Sequence, residues 1–433
     1  MSDEEMKTAW YEEPGLKETM GMMSGRAIRG IMCNIHGNIV LGGKVGLLMA
    51  SVRLSMLLQG VEKNLLIITD SFTEKFAPQV IQAFKTAGFT CKVWNGAQPE
   101  LPISTIEEGR QVCEEFKPTL LLAIGGGSVM DSGKAIWIKY ERPDVEFTKL
   151  DPMTSFLGLG QKIKRYVVIP TTSGTGSEAT AVSVVTDTRR TPPMKIPVVS
   201  NETVPYMVIL NTDFVKDMPP FLTMATGLDA LAHSIGAYIC NWSTPYTDAM
   251  NEIAIKETIK YLGRAVKYGA KDLEAREHMQ WAAYYAGLGF GNAMAGIDHA
   301  LGHSLGAVFH VHHGLAVGLF TPQSIAYQAK ITDRWKGLCP LFGIDPKKNV
   351  PRKDLRDELL DAVKIYIKSV GGITAVKDCK NPEIDKESYK IELDTLTKYA
   401  VTDIDALVSN RHVTYDEFKK IYELAWEGEE LFF

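Results

Sequence analysis

Leu121-Leu122-Ala123-Ile124-Gly125-Gly126-Gly127-Ser128-Val129-Met130-Asp131 joins an apolar run to three consecutive glycines and the start of a helical pattern. The apolar run predicts a buried strand, and the glycines permit a turn whose backbone approaches a ligand closely. The following helix would offer unpaired N–H groups and the positive end of its dipole, which suit a pyrophosphate. Ser128 and Asp131 have the spacing of a capping box. A tight turn before a capped helix, without any ligand, would produce the same pattern.

Strand and helix patterns alternate on both sides of this turn. Leu65 to Ile68 and Tyr166 to Ile169 are short apolar runs, and Thr105 to Phe116 has helical periodicity. Continuous apolar strands that alternate with helices predict a parallel sheet covered on both faces. An α/β fold of this kind binds its ligands at the carboxyl ends of the strands.

Two further features at predicted strand ends point to a dinucleotide. The segment from Thr171 to Glu178 has five hydroxyl residues and two glycines in eight positions, which makes a dense surface of hydrogen-bond donors. Asp70 closes an earlier strand, where a carboxylate can bind the adenosine ribose hydroxyls and repel a 2′-phosphate. We therefore expect NAD rather than NADP, although an ordinary turn aspartate would look the same.

Beyond Asp217-Met218-Pro219-Pro220 the strand patterns stop and helical periodicity takes over. We predict an α/β dinucleotide-binding domain at residues 1–216, with an N-terminal extension at 1–34, and an all-helical domain at 217–433. Two domains also fit the length of 433 residues, which exceeds the usual size of one core. The predicted helices of the second domain are Leu222–Cys240, Thr247–Tyr268, Glu274–Asn292, Gly314–Gln328, Asp354–Val370 and Thr414–Trp426.

Histidines concentrate in the second half: seven of the nine lie between His233 and His313 inclusive. Asp229 and His233 are spaced i, i+4, and so are His299 and His303, so each pair would lie on one face of a helix. Two such pairs predict a cation site with oxygen and nitrogen ligands and no thiolate, which suits Fe²⁺ or Zn²⁺. Spacing alone leaves other ligand candidates open, namely Asp298, His310, His312 and His313.

Composition excludes several classes of protein. The formal net charge is −5 and there is no basic block, so we expect neither a nucleic-acid partner nor a membrane surface. No apolar run is long enough for a membrane span. The six cysteines are scattered without a C-x-x-C pair, and the first residues lack the pattern of a signal peptide. These features predict a cytoplasmic protein with reduced thiols.

Taken together, the motifs resemble those of the iron-dependent (group III) alcohol dehydrogenase family. The resemblance covers roughly residues 37–329. It implies an α/β N-terminal nucleotide-binding domain plus an all-α C-terminal domain, the dehydroquinate synthase-like fold of iron-containing alcohol dehydrogenases. The motifs are Gly125 to Ser128 with Asp131 and Lys134, Pro170 to Glu178, Thr226 to His233, and Gly296 to Gly306 with His313-Gly314.

The resemblance also implies roles for individual residues. The cation ligands would be Asp229, His233, His299 and His313, and His303 would lie beside the nicotinamide. The cofactor-binding residues would be Gly125, Gly126, Gly127, Ser128 and Asp131 in the first loop and Thr171, Thr172 and Thr175 in the second, with Asp70 added from its strand position. Asp298 and Gly302 are less usual neighbours of the two histidines and could alter the substrate pocket.

The expected function is that of an NAD-dependent alcohol dehydrogenase acting on a small primary alcohol or its aldehyde. A divalent cation, Fe²⁺ with Zn²⁺ as the alternative, would act as a Lewis acid, and His303 would relay the proton. We also expect a homo-oligomer, a dimer or larger. Met153, Phe156 and Phe290 are candidate apolar neighbours of the substrate, although the pattern favours ordinary core packing for each of them.

Two other functions remain open from the sequence. One is a lyase of the dehydroquinate synthase type that uses NAD and a metal, but its pocket needs several Lys and Arg residues, and few lie near the histidine segment. The other is a non-catalytic metal or nucleotide sensor, which steady NADH formation from an alcohol would exclude.

Overall fold

The computed structural model describes residues 39–41, 43–150, 156–189 and 194–431. The predicted N-terminal extension and Met153 lie outside these ranges. The described chain divides into two compact units, with the boundary between Asp217 and Met218. Each unit has its own set of secondary-structure elements.

The first unit contains a six-stranded, all-parallel sheet among its described residues, with the strand order β1-β8-β5-β4-β2-β3. A separate antiparallel pair consists of β6 and β7. The α/β prediction is therefore confirmed. The strands are β1 (Ile39–Leu41), β2 (Asn64–Ile68), β3 (Thr90–Trp94), β4 (Leu120–Gly125), β5 (Arg165–Pro170), β6 (Val182–Asp187), β7 (Met194–Val199) and β8 (Met207–Leu210).

Four helices accompany these strands in the described part of the first unit. They are α1 (Gly43–Leu57), α2 (Ala77–Thr86), α3 (Ile103–Phe116) and α4 (Gly127–Glu141). Every residue of β4 is buried, as its continuous apolar sequence predicts for a central strand. Leu122 and Ile124 pack in one apolar cluster with Phe84 of α2 and Leu54 of α1. The glycine turn is thus anchored to the centre of this core.

Helices joined by turns and loops make up the described residues of the second unit, and no strand is found among them. Its helices are α5 (Pro220–Ile239), α6 (Pro245–Tyr268), α7 (Leu273–Phe290), α8 (Ile297–Phe309), α9 (His313–Gln328), α10 (Arg352–Ser369), α11 (Lys386–Ile391), α12 (Leu393–Thr402) and α13 (Tyr415–Ala425). Among the described residues, no helix combines the length and the apolar character that a membrane crossing requires.

Local sequence explains where the principal helices begin. Pro219 is the N-cap of α5 and Pro220 is its first residue, where a missing N–H costs nothing. Thr244 and Thr247 form a reciprocal capping box at the start of α6. Gly296 is the N-cap of α8 and adopts an extended conformation. The starts of α5 and α8 fix the positions of the helices that carry His233, His299 and His303.

Candidate metal centre

Three helices of the second unit carry the predicted ligands. Asp229 and His233 lie one turn apart on α5, His299 lies in the first turn of α8, and His313 is the first residue of α9. Asp229, His233 and His299 are buried, and the side chain of His313 is 41% exposed. The four side chains therefore come from three separate parts of the chain. They meet where the middle of α5 approaches the first turns of α8 and α9.

One potential ligand atom from each of Asp229, His233, His299 and His313 lies within 4.8 Å of all the others. We call these four residues the cation cluster. The Oδ1 atom of Asp229 lies 3.5 Å from His233 Nδ1, 3.6 Å from His299 Nε2 and 3.1 Å from His313 Nε2. The four potential ligand atoms are therefore close enough together to hold one ion.

Close contacts between glycines and backbone bring these helices together. A Cβ atom added to Gly236 of α5 would lie 2.7 Å from the backbone nitrogen of Gly296. A Cβ atom added to Gly314 of α9 would lie 2.0 Å from the carbonyl oxygen of Ala225. Only glycine permits such approaches. The first contact brings α8 onto α5 beside His233, and the second brings α9 onto α5 beside Asp229.

Unsatisfied buried atoms test whether the cluster fits a cation. Asp229 Oδ1, His233 Nδ1 and His299 Nε2 are buried and have no hydrogen-bond partner. Each such atom costs about 1–3 kcal/mol when nothing binds it. One carboxylate oxygen and three imidazole nitrogens form a donor set that Fe²⁺ and Zn²⁺ accept. The residues present therefore fit a divalent cation.

Electrostatics in the cluster follow from burial and mutual proximity. Burial raises the pKa of Asp229, but the surrounding histidines outweigh burial and hold it well below its usual range. Burial lowers the pKa of His233 well below its usual value, so that its imidazole is neutral. Burial also lowers the pKa of His299, but the neighbouring carboxylates of Asp229 and Asp298 outweigh burial and raise it to about 10. A bound cation would replace the proton on His299.

The other candidate ligands lie outside the cation cluster. His310 is the left-handed C-cap residue of α8, with φ of 57°. His312 immediately precedes α9, and its ring packs edge-on against Phe221. Asp298 hydrogen-bonds to His299 instead of contributing an atom to the cluster. Gly302 lies against Val317, where an added Cβ atom would be 2.6 Å from Val317 Cγ1, so packing between α8 and α9 explains this glycine.

The two predicted cofactor loops of the first unit lie side by side. Gly125 ends β4 opposite Pro170 of β5, and the N–H of Thr171 donates to the carbonyl of Gly125 at 3.0 Å. A Cβ atom added to Gly127 would lie 3.0 Å from Thr175 Cγ2. The carboxyl ends of neighbouring strands therefore place the glycine turn and the hydroxyl-rich loop together, as parallel-sheet geometry requires. A Cβ atom on Gly126 would similarly lie 3.3 Å from Thr172 Cγ2.

The predicted capping box at Ser128 and Asp131 is wrong. Helix α4 begins at Gly127 with Gly126 as its N-cap, so Ser128 already lies inside the first turn and cannot cap it. Asp131 instead accepts hydrogen bonds from Ser177 Oγ at 2.5 Å and from the N–H of Val184 at 3.0 Å. This carboxylate therefore holds the second cofactor loop and strand β6 against α4.

Lys134 supports the same arrangement from one turn further along α4. Its side chain is fully buried, and its Nζ donates to Ser177 Oγ at 2.9 Å and to the carbonyl of Val182 at 2.7 Å. The buried ammonium thus ties the end of the hydroxyl-rich loop to α4. The sequence contained Lys134 within a motif but gave no signal of this role.

Asp70 follows β2 and organises the turn there. Its Oδ1 accepts hydrogen bonds from the N–H of Phe72 and from the N–H and Oγ1 of Thr73, each at 2.8 Å. Thr73 Oγ1 also lies 3.1 Å from the carbonyl oxygen of Ile124, so this turn lies beside the glycine turn. The structure thus gives Asp70 a clear structural role next to the candidate cofactor loops.

Comparison with known proteins agrees with this geometry in both units. A sequence model of the family described as iron-containing alcohol dehydrogenase matches residues 49–212, and one of the Fe-containing alcohol dehydrogenase family, C-terminal, matches residues 223–426. The chain is 33% identical over 359 residues to the NADPH-dependent butanol dehydrogenase of Clostridium saccharobutylicum, which covers 83% of this chain and 89% of that protein. The chain belongs to the iron-containing alcohol dehydrogenase family.

Further relatives of this alcohol dehydrogenase support the same assignment. The NAD-dependent methanol dehydrogenase of Bacillus methanolicus is 34% identical over 285 residues, which is 65% of this chain and 73% of that protein. The alcohol dehydrogenase from Oenococcus oeni superposes with a TM-score of 0.80 at 28% identity, covering 90% of this chain and 98% of that one. The predicted family and fold are confirmed, and the enzyme is an NAD(P)-dependent alcohol dehydrogenase or aldehyde reductase. The lyase alternative loses its basis because both units match dehydrogenase models.

One functional feature of this alcohol dehydrogenase escaped the sequence analysis. The Nδ1 atom of His303 lies 2.9 Å from Asp403 Oδ2, and Asp405 lies within the same small group of side chains. The His303 ring stacks on that of His313, with centroids 5.1 Å apart, and its side chain is 35% exposed. Asp403 follows α12, one hundred residues after His303, and no periodic pattern connects the two.

The two described candidates for apolar neighbours of the substrate, Phe290 and Phe156, lie in different environments in this alcohol dehydrogenase. Phe290, the last residue of α7, stacks on the His233 ring with centroids 3.9 Å apart and planes 10° from parallel. Phe156 is 82% exposed. Phe290 therefore contributes an apolar surface in direct contact with the cation cluster, and nothing in the described contacts of Phe156 gives it a comparable position.

Proposed function

We propose that the enzyme interconverts small primary alcohols and their aldehydes with NAD(H), using a divalent cation that is Fe²⁺ in the native protein. Asp229, His233, His299 and His313 would hold the cation. The observation that carries this proposal is the convergence of their four ligand atoms within 4.8 Å, three of them buried without a hydrogen-bond partner. Zn²⁺ fits the same donor set and is the alternative ion.

The residues divide the chemical work between them. When bound, the cation supplies Lewis acidity at the substrate oxygen, and the nicotinamide supplies the hydride chemistry. Asp229 contributes the negative charge that balances the cation, and the neutral His233 contributes a lone pair. Phe290 keeps an apolar surface against the cluster, which excludes water from one side.

His303 is the proposed proton relay. Asp403 accepts a hydrogen bond from His303 Nδ1, which leaves Nε2 of the same ring to take up or return the proton of the substrate oxygen. The partial exposure of the His303 side chain gives that proton a route to water. Asp403 thus orients the relay without itself contacting the substrate.

The first unit is the proposed cofactor-binding unit. Backbone N–H groups of the glycine turn and the start of α4 would bind the pyrophosphate. Thr171, Thr172 and Thr175 lie on the adjoining loop, where Thr172 Oγ1 is buried without a hydrogen-bond partner. An unpaired buried hydroxyl at this position supports a ligand that completes its hydrogen bonding.

Asp70 supports NAD over NADP. The relatives differ on this point, since the butanol dehydrogenase is named NADPH-dependent and the methanol dehydrogenase NAD-dependent. A carboxylate beside the glycine turn repels a 2′-phosphate.

Substitution of Asp70 tests this cofactor preference. We expect Asp70→Ser to raise kcat/KM for NADP relative to NAD at least ~10-fold, and the exposed Asp361→Ser is the control. An unchanged ratio would assign Asp70 to the turn alone.

A substrate panel tests the function as a whole. The names of the relatives and the apolar Phe290 surface support short primary alcohols, so activity should be highest with unbranched alcohols of few carbons and with their aldehydes. The purified protein would be stripped of metal and reconstituted with Fe²⁺ or Zn²⁺ before assay with NAD and NADP. Absence of alcohol-dependent NADH formation with either metal would refute the proposal.

We further propose that the enzyme is a cytoplasmic homo-oligomer. The cysteines among the described residues are all free thiols, and most are buried, which suits a reducing compartment. Sedimentation equilibrium of the purified protein would measure subunit number, and a monomer at micromolar concentration would contradict the oligomer.

A further inference from the structure

Asp298 lies directly beside the cation cluster but contributes no atom to it. Its side chain is completely buried in the first turn of α8. Asp298 Oδ1 accepts a hydrogen bond from the N–H of His299 at 2.8 Å and lies 2.9 Å from His299 Nδ1. A carboxylate in the first turn of a helix is also stabilised by the positive end of the helix dipole.

This contact determines which nitrogen of His299 is available. An ionised carboxylate can only accept hydrogen bonds, so Nδ1 of His299 carries a hydrogen and donates it to Asp298. The lone pair of the neutral ring then resides on Nε2. Nε2 is the buried atom without a hydrogen-bond partner that lies 3.6 Å from Asp229 Oδ1.

We propose that Asp298 is a positioning residue that fixes the tautomer and orientation of the His299 ring and thereby sets how tightly the enzyme holds its cation. The proposal rests on the cation cluster of the proposed function. Carboxylates that accept from the outer nitrogen of a metal-bound histidine typically change metal affinity about 10- to 100-fold when removed. Asp298 therefore adds to cation binding without contacting the cation.

The position of Asp298 in the fold supports this role over that of a fifth ligand. Oδ1 is occupied by the two contacts with His299, and Asp298 is outside the group whose ligand atoms meet. The N-cap before it, Gly296, is fixed by its contact with Gly236 of α5. The same contact that brings His299 to His233 thus also holds the carboxylate that orients His299.

Metal affinity, measured apart from activity, tests the proposal. Apo-protein would be titrated with Co²⁺ and with Zn²⁺ in competition with a chromophoric chelator, and the visible absorption of the Co²⁺ form would report ligand geometry. We expect Asp298→Ala to weaken binding ~100-fold and Asp298→Asn, which keeps an acceptor oxygen but loses the charge, ~10-fold. The Co²⁺ spectrum of Asp298→Ala should also change.

A matched control separates positioning from helix capping. Asp385 caps α11 by accepting from the N–H groups of Glu387 and Ser388, and it has no part in the cluster. Asp385→Ala should lower the unfolding temperature, because the helix loses its N-cap, and leave Co²⁺ affinity unchanged. If Asp298→Ala fails to fold, as judged by circular dichroism, the near-isosteric Asp298→Asn carries the test.

The outcomes distinguish this inference from the proposed function. Both Asp298 variants could keep wild-type affinity and an unchanged Co²⁺ spectrum while Asp229→Asn loses the metal. That result would overturn the role of Asp298 and leave the cation cluster in place. Wild-type affinity in Asp229→Asn as well would overturn the cation cluster and this inference with it. Graded weakening from wild type through Asn to Ala, with Asp385→Ala unchanged, supports the inference.

Discussion

Asp229 is the residue on which the proposed cation site depends most, because its Oδ1 lies within 3.6 Å of three histidine nitrogens. Asp229→Asn keeps the shape but removes the negative charge. We expect it to lose at least ~90% of bound metal and at least ~100-fold in turnover, since a buried cation needs a compensating charge. Metal content by mass spectrometry and kcat would be measured on the same preparation.

The control for Asp229 is Asp361→Asn, an exposed helical aspartate on α10. It should retain both metal and activity. Normal metal content in Asp229→Asn would mean that the ligand assignment is wrong.

His303 is expected to act on turnover and not on metal retention. His303→Ala removes the relay proposed between substrate oxygen and water, so kcat should fall ~10²- to 10⁴-fold, the usual size of a general acid–base contribution. Metal content should remain that of the wild type because His303 lies outside the cation cluster. Steady-state kinetics and metal analysis together measure both parts of this prediction.

A second histidine on the same helix provides the comparison. His310→Asn replaces an exposed C-cap residue by one that tolerates its left-handed backbone, and it should leave kcat unchanged. Full activity in His303→Ala would remove His303 from the proton path. Metal loss in that variant would instead give His303 a role in cation binding.

The sequence was most informative about residues whose motifs are compact. Asp229 and His233 are one helical turn apart, so their position on one helix face was predictable from spacing. The choice of His313 over His310 or His312 as a ligand came only from the family resemblance. Asp403 was not predictable, because it reaches His303 from one hundred residues away and follows no periodic pattern. Contacts of that kind are set by tertiary packing.

At the level of helices, the glycine contacts should matter as much as the ligands themselves. A Cβ atom on Gly314 would overlap the carbonyl oxygen of Ala225, so Gly314→Ala forces α9 away from α5 and with it His313. We expect a loss of ~1–3 kcal/mol in unfolding free energy, as for an overpacked core, together with weaker Zn²⁺ binding. Denaturant unfolding and chelator competition would measure the two effects.

Gly263 of α6 is the matched control for Gly314. A Cβ atom there would make an ordinary 3.8 Å contact with Val370 Cγ1. Gly263→Ala should therefore stabilise the protein by up to ~1 kcal/mol through helix propensity and leave Zn²⁺ binding unchanged. If Gly314→Ala behaved in the same way, the close approach of α9 to α5 would not be needed for the site.

The elements themselves differed in how far the sequence predicted them. The central strands β2, β4 and β5 were predicted because each is a continuous apolar run. The pair β6–β7 was not, since Pro197 interrupts the alternation of apolar and polar residues in β7. Helix α8 was expected only locally around its histidines, because Gly302, Gly306 and four polar side chains weaken its helical signal. Packing onto α5 and α9 overrides that weakness.

For the molecule as a whole, the cation should stabilise one unit and not the other. The cation cluster joins α5, α8 and α9 inside the main apolar core of the helical unit, whereas the parallel sheet of the first unit contains none of its ligands. Binding to the native state alone adds ~2.7 kcal/mol when free metal is one hundred times Kd. Chelation should therefore lower the unfolding temperature by ~5–10 °C.

Hydrogen exchange followed by mass spectrometry locates that effect within the chain. Removal of the metal should increase exchange in α5, α8 and α9, because three buried polar atoms lose their partner and the charge of Asp229 loses its compensation. Strands β2, β4 and β5 should exchange at the same rate with and without metal. If removal of the metal accelerated hydrogen exchange equally in these helices and these strands, the stabilising effect would lie outside the cation cluster. Asp229→Asn provides an independent check, because its exchange pattern should resemble that of the chelated protein in both units.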